Sequence, residues 1–171
     1  MTVKICMANN SLAFTNNVFE ALCSYLNDNC IIYRQIQHQA TYTSEESSLA
    51  RGEDLSIDGK ALLMKVDDQF HLFVLSAAKK CDWKKIKERF NTKKLRFATN
   101  NELFQLTGLV PGSMPPFGRP ILAFDLFIDE SIIKNEKIAF NAGLLTESIV
   151  MQVADYLKIV NAEVFSFSID K

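Results

Sequence analysis

All four prolines of this chain fall within Pro111–Pro120, together with two of its six glycines. Proline fixes φ and removes an amide donor, so this decapeptide suits neither a helix interior nor a central strand. The rest of the sequence is free of proline, and helical and strand-like periods alternate through it with no linker-like stretch. One stiff loop set into a single domain over 1–171 is the expected organisation, since 171 residues fit one domain of about 100–200. Thirteen Phe among many Leu, Ile and Val can fill a core, which excludes a disordered chain.

The periodicities predict the elements. Val18, Leu22 and Leu26, with Phe19 and Cys23 beside them, mark an amphipathic helix over roughly 16–28 behind cap candidates Thr15, Asn16 and Asn17. A strand follows from Ile31 to Ile36. Thr43 and Glu46 have capping-box spacing, and Gly52 closes the short helix they open. Lys60–Val66 and Gln69–Leu75 are β-rich runs separated only by Asp67 and Asp68, the signature of a hairpin. Asp82 caps a helix through Phe90, Leu95–Ala98 is a short strand, and Thr99 with Glu102 forms a second capping box whose helix stops at Gly108. Strands are expected at Ile121–Ile128, Ile138–Asn141, Glu147–Met151 and, at an edge, Val164–Ile169, with a helix over Val153–Val160. Strands that often adjoin, mixed with short helices, give an α+β fold with a mixed sheet. Neither Gly-x-Gly-x-x-Gly nor Gly-x-x-x-x-Gly-Lys-Ser/Thr occurs.

Several function classes are excluded at once. Nineteen Lys and Arg against twenty Asp and Glu rule out a histone-like binder, though not a local basic patch. No apolar run reaches the roughly 18–20 residues of a membrane span, and Met1–Met7 lacks the apolar core of a secretory signal. A cytoplasmic protein with no membrane partner is expected, its Cys6, Cys23, Cys30 and Cys81 reduced and mostly buried. None of these forms Cys-x-x-Cys, and His38 and His71 are the only histidines, so neither a metal site nor another cofactor is expected.

Chemistry can reside in few places. In the stretch from Gly108 to Gly118, stiffening prolines alternate with Gly112 and Gly118, where a ligand can approach the backbone; Ser113 and Met114 between them are expected to keep free N–H groups. Such a loop suits gripping a carbonyl oxygen or oxyanion, but it equally suits a rigid connector. Lys60 opens a strand and is either solvated or a point charge in a pocket. His38 either lines a cleft or satisfies local backbone; His71, alternating inside a strand, reads as structural or merely exposed. Nine of the nineteen cations fall between Lys79 and Arg96, Lys79, Lys80, Lys84 and Lys85 among them. They are either a solvated face or a phosphate-backbone patch. No Ser-His-Asp order, nucleophile elbow or close carboxylate pair appears.

Taken together, Gly59-Lys60-Ala-Leu-Leu-Met-Lys, Phe97-Ala-Thr-x-x-Glu-Leu, the Gly108–Gly118 loop, Phe140-Asn-Ala-Gly143 and Ser148-Ile resemble the YbaK/ProX family of aminoacyl-tRNA editing domains. The resemblance runs from about Tyr33 to Phe165. It implies a compact fold around a mixed, partly barrel-like sheet, and hydrolysis of the ester joining a wrong amino acid to tRNA without a metal. It implies that Gly112, Ser113 and Met114 hold the aminoacyl carbonyl through backbone amides and that Lys60 anchors the substrate's 3′ end. The attacking group would be water or a substrate hydroxyl. His38, Pro116, Phe117, Gly118, Asn141, Gly143 and Ser148 are the accompanying substrate-binding candidates. The implied partners are mischarged aminoacyl-tRNA and an aminoacyl-tRNA synthetase. Relatives similar to alanine editors carry Asn after the lysine and His in the later segment, where this chain has Ala61 and Asn141, so alanine specificity does not follow. A non-catalytic tRNA- or synthetase-binding module and a small-molecule binding protein are the alternatives.

Overall fold

The computed structural model describes residues 18–171. The cap candidates Thr15, Asn16 and Asn17 lie outside them, and the first helix, α1, is described over Val18–Asp28. There follow β1 (Tyr33–Gln37), α2 (Ser44–Arg51), a 3-10 turn (Leu55–Ile57), β2 (Gly59–Val66), β3 (Gln69–Ser76), β4 (Lys79–Cys81), α3 (Trp83–Phe90), β5 (Leu95–Phe97) and α4 (Asn100–Thr107). Past the proline loop come β6 (Leu126–Asp129), α5 (Glu130–Ile133), β7 (Lys137–Asn141), β8 (Glu147–Gln152), α6 (Val153–Ile159), β9 (Ala162–Phe165) and β10 (Ser168–Asp170).

The local signals act as their chemistry dictates. The Thr43 hydroxyl accepts the Glu46 N–H, and Gly52 ends α2 in the left-handed region at φ 67°. Asp82 caps α3, and Thr99 with Glu102 completes the reciprocal capping box of α4. The β2–β3 hairpin turns through Asp67 and Asp68, pairing Val66 with Gln69 and Lys60 with Leu75.

A five-stranded sheet of order β5-β2-β3-β6-β9 forms the centre, antiparallel from β5 to β3 and parallel from β3 to β9. Alternation along its strands separates two cores. Leu63, Leu72, Val74, Leu126 and Ile128 pack with Leu22 and Leu26 of α1 and with the three-stranded sheet β1-β8-β7. Met64, Val66, Phe73, Leu75 and Phe127 pack on the other face with Ile86 of α3 and with Phe167.

Three expectations are corrected. The sheet does not close: among the described residues there are three sheets, with the five- and three-stranded ones joined only by the bridge Asp58–Ala139. Of Ile121–Ile128 only the end is strand, because the preceding backbone curls on itself, Ile121 and Leu122 both donating to the Gly118 carbonyl. Its apolar content serves burial instead, with Leu122 and Phe124 in the core. Val164–Ile169 is two strands, since Asp129 seizes the Phe167 N–H at 2.6 Å and sends β10 to pair with β4.

Candidate active site

β5 flanks β2 only along Met64–Val66 and β7 bridges only at Asp58–Ala139, so between them the β2 edge has no strand paired with it among the described residues. In the hairpin register Asp58 accepts from Ala77 on the β3 side and Leu63 accepts from Ala98 on the other. Main-chain groups of alternate residues point the same way, so Ala61 turns its N–H and C=O outward like Leu63, where no strand pairs with it. A cleft of about 430 Å³ occupies this edge, between α2, Pro111–Met114 and the start of α4.

Lys60 lines the cleft with its side chain exposed, and among the described residues its ammonium has no carboxylate partner within an ion-pair distance. Glu45, also in the lining, is held below the usual carboxylate range by a backbone hydrogen bond first, then by Lys171, with Lys60 adding its charge.

Gly112 and Met114 line the cleft too, and neither N–H has an acceptor among the described residues. The expected free amide of Ser113 is taken: its N–H and its hydroxyl both donate to the Val110 carbonyl, closing a tight turn with the residue buried. Gly112 adopts φ +88°, and a Cβ there would stand 3.3 Å from the Tyr42 carbonyl. Its glycine is required by the turn and by Tyr42 behind it, rather than by a ligand in front.

Behind the loop lies a buried polar network that the sequence reading did not find. Arg51 donates from Nη1 to Asp58 at 2.7 Å, from Nε to Ser148 at 2.9 Å and from Nη2 to Asn141 Oδ1 at 2.9 Å. Asn141 Nδ2 in turn donates to the Gly112 carbonyl at 2.9 Å. Burial pushes the Asp58 carboxyl up, and the Arg51 guanidinium pulls against that. Asn141 therefore acts from behind Gly112, fixing the peptide whose neighbours present free amides.

The other candidates fall into the frame. Ser148 is fully buried, hydrogen-bonded to Arg51, Asn141 and His38 Nε2 (2.7 Å), and so placed is no nucleophile. His38, half-buried, holds the Gln39 carbonyl with its other nitrogen. Phe117 is buried against Phe140 and Tyr156 at ring distances of 5.5 and 5.2 Å, and the Pro116 carbonyl accepts from the Tyr156 hydroxyl. A Cβ on Gly118 would lie 2.6 Å from the Phe124 carbonyl, and one on Gly143 2.9 Å from the Phe19 nitrogen. These two glycines admit the protein's own backbone. Gly143 also donates to the Ser113 carbonyl, bracing the loop.

The basic run divides. Lys79 pairs with Asp170, Arg89 with Glu163 and Arg96 with Glu102. Lys85 reaches Ser166, while Lys80, Lys87, Lys93 and Lys94 have no carboxylate partner among the described residues. Lys84, which approaches Glu88 at 3.8 Å, lines an open groove together with Lys87, Lys93 and Trp83. Trp83 also meets Phe97, a cleft residue, edge-to-face at 4.9 Å, so groove and cleft adjoin through one aromatic contact. Among the described residues no three His, Cys, Asp or Glu side chains gather as a metal-ligand set.

The model of the aminoacyl-tRNA editing domain matches residues 38–159, which contain the cleft edge, the loop and the network behind it. The chain belongs to the aminoacyl-tRNA editing domain family. Across 141 residues it is 33% identical to the multifunctional Ser/Thr-tRNA deacylase ProXp-y of Escherichia coli K12, covering 79% of this chain and 83% of that protein. It is 25% identical over 148 residues to the prolyl-tRNA editing protein ProX of Acetoanaerobium sticklandii, covering 84% and 90%. A crystal structure described as that of a candidate trans-editing enzyme for prolyl-tRNA synthetase superposes with a TM-score of 0.77 at 21% identity, covering 93% of this chain and 99% of the other. In this editing domain, Arg51 and Asp58 are what the sequence concealed. The signal was faint: a lone arginine ending a polar helix, and an aspartate readable as a simple Asp-Gly turn.

Proposed function

We propose that this editing-domain protein is a trans-acting aminoacyl-tRNA deacylase that hydrolyses the ester of mischarged tRNA. The observation that carries the reading is the pair of amides, Gly112 and Met114, that have no acceptor among the described residues, in a cleft that also holds a lysine with no carboxylate partner among them. Ester hydrolysis builds negative charge on the carbonyl oxygen, and preorganised backbone donors stabilise that charge without titrating. Lys60 supplies a positive charge to orient the 3′ end. Ser113 and Ser148 have their hydroxyls committed, and burial pushes the Cys81 thiol up to about 11, so none of them acts as the nucleophile. Water attacks, its oxygen bonding to the acyl carbon as the ester C–O bond breaks and a proton passing to the departing ribose oxygen, so that the free amino acid and the tRNA 3′ end are released. The neighbouring ribose hydroxyl is the substrate group at hand to assist that water. The unpaired lysines of the groove take the acceptor-stem phosphates, contacts that give affinity without reading bases.

Ser/Thr-tRNA deacylation by the bacterial relative, together with the polar cleft residues Ser47, Arg51, Asp58 and Asn141, supports a small hydroxylated amino acid as the group removed. A synthetase that delivers such tRNAs is the proposed further partner. The test is a deacylation panel of mischarged tRNAs with and without excess chelator. Turnover of at least one species, undiminished by chelator, is expected; no turnover on any would defeat the reading, and loss restored by zinc would defeat its metal-free chemistry.

A further inference from the structure

Phe97 is a large aromatic side chain left 48% exposed at the cleft. Its edge-to-face contact with Trp83, at 81° between planes, holds the ring in place while leaving a face uncovered. The sheet register sets Phe97 beside Met64, four residues along β2 from Lys60. At about 3.3 Å per residue this is some 13 Å from the lysine, comparable to the reach of one aminoacylated nucleoside. The Arg51–Asn141–Gly112 network gathers near Asp58, towards the Lys60 end, so the cleft has a polar reacting end and an aromatic end. At the aromatic end Leu62 and Ala98 add apolar wall, and Asn100 lines the cleft with a side-chain amide that has no partner among the described residues.

We propose that the aromatic end is a subsite for an adenine base, resting on the aminoacyl-tRNA reading above. Phe97 is the stacking platform, Trp83 its brace, and the Asn100 amide the group at the base's edge. Every tRNA presents an adenosine at the esterified end, and a flat exposed ring held some four strand residues from Lys60 is what such a base would stack on. A side-chain amide can donate to and accept from adenine's edge at once. The lysine groove on the far side of Trp83 then continues the path for the preceding phosphates.

Two readouts test this separately from the catalytic reading. In steady-state deacylation of the best mischarged tRNA, Phe97→Ala raises KM about tenfold or more with kcat within about threefold, because the contact is remote from the reacting carbonyl. Phe97→Tyr restores KM and Phe97→Leu does not. Trp83 is the chain's single tryptophan, so its emission reports on the platform directly. Adenosine 5′-monophosphate shifts it in the wild type and in Phe97→Tyr but not in Phe97→Ala, and uridine 5′-monophosphate acts more weakly. A wild-type KM in Phe97→Ala, or in Phe97→Leu, overturns the subsite even when deacylation is robust. A nucleotide response dependent on Phe97 without deacylation of any tRNA keeps the subsite and defeats the catalytic reading. Equal responses to the two nucleotides overturn the role of Asn100.

Discussion

Replacing Arg51 with Met tests whether the buried network is what holds the carbonyl-binding loop. The Arg51 and Asp58 side chains are 1% and 6% exposed, so truncating one leaves the other charge with almost no water to take its place. Removing one partner of such a pair costs about 3–5 kcal/mol, because it leaves an uncompensated buried charge. For a chain of this length that corresponds to a Tm lower by about 6–20 °C. Ser148 and Asn141 lose a donor as well, and Asn141, freed on one side, no longer fixes the Gly112 carbonyl. Urea unfolding followed by circular dichroism gives the stability, and deacylation below the transition gives kcat. We expect Arg51→Met to lower the midpoint with the slope unchanged, and to lower kcat more than it raises KM. Asp58→Asn should be destabilising by itself, and the double variant should recover about 1–3 kcal/mol relative to the sum of the singles. A loss under about 1 kcal/mol for Arg51→Met, or strict additivity, would refute the argument that charge burial and loop position are coupled here.

Lys60→Ala should lower kcat/KM by about 100-fold, some 2.7 kcal/mol of transition-state stabilisation, with stability within about 0.5 kcal/mol because the side chain is exposed and unpaired; near-wild-type turnover by a folded variant would remove it from the site. Charge reversal at Lys87 and Lys93 should raise KM and flatten the dependence of tRNA affinity on salt, whereas reversal of Lys79, already neutralised by Asp170, should do less; equal effects would dissolve the groove as a phosphate path. Asp129 is pushed up by burial, but hydrogen bonds from Ser131, Ser168 and the Phe167 amide outweigh this and hold it below its ordinary value. Its contribution is therefore present above the unfolded aspartate pKa and lost as pH falls through the lower folded one, so Asp129→Asn should lower Tm at neutral pH and flatten the acid limb of stability; an acid limb as steep as the wild type's would count against this.

Local chemistry was legible along the chain. The hairpin, the caps at Thr43, Asp82 and Thr99, and the stops at Gly52 and Gly108 depend on residues within one turn of each other, so their spacing alone determines them. The stiff loop, Lys60 and the family motifs were likewise written in short stretches. What lay between distant segments was not. The Arg51–Asp58–Asn141–Ser148 network joins α2, the turn before β2, β7 and β8, and no periodicity encodes which polar side chains will be buried together. Hydrophobicity misled for the same reason: Leu122, Phe124 and Phe117 are apolar because the core takes them, whatever backbone delivers them. Only the tertiary structure divided the glycines into those that admit a neighbouring backbone and one that shapes the Gly112 turn, because a glycine's task depends on what stands where its Cβ would be.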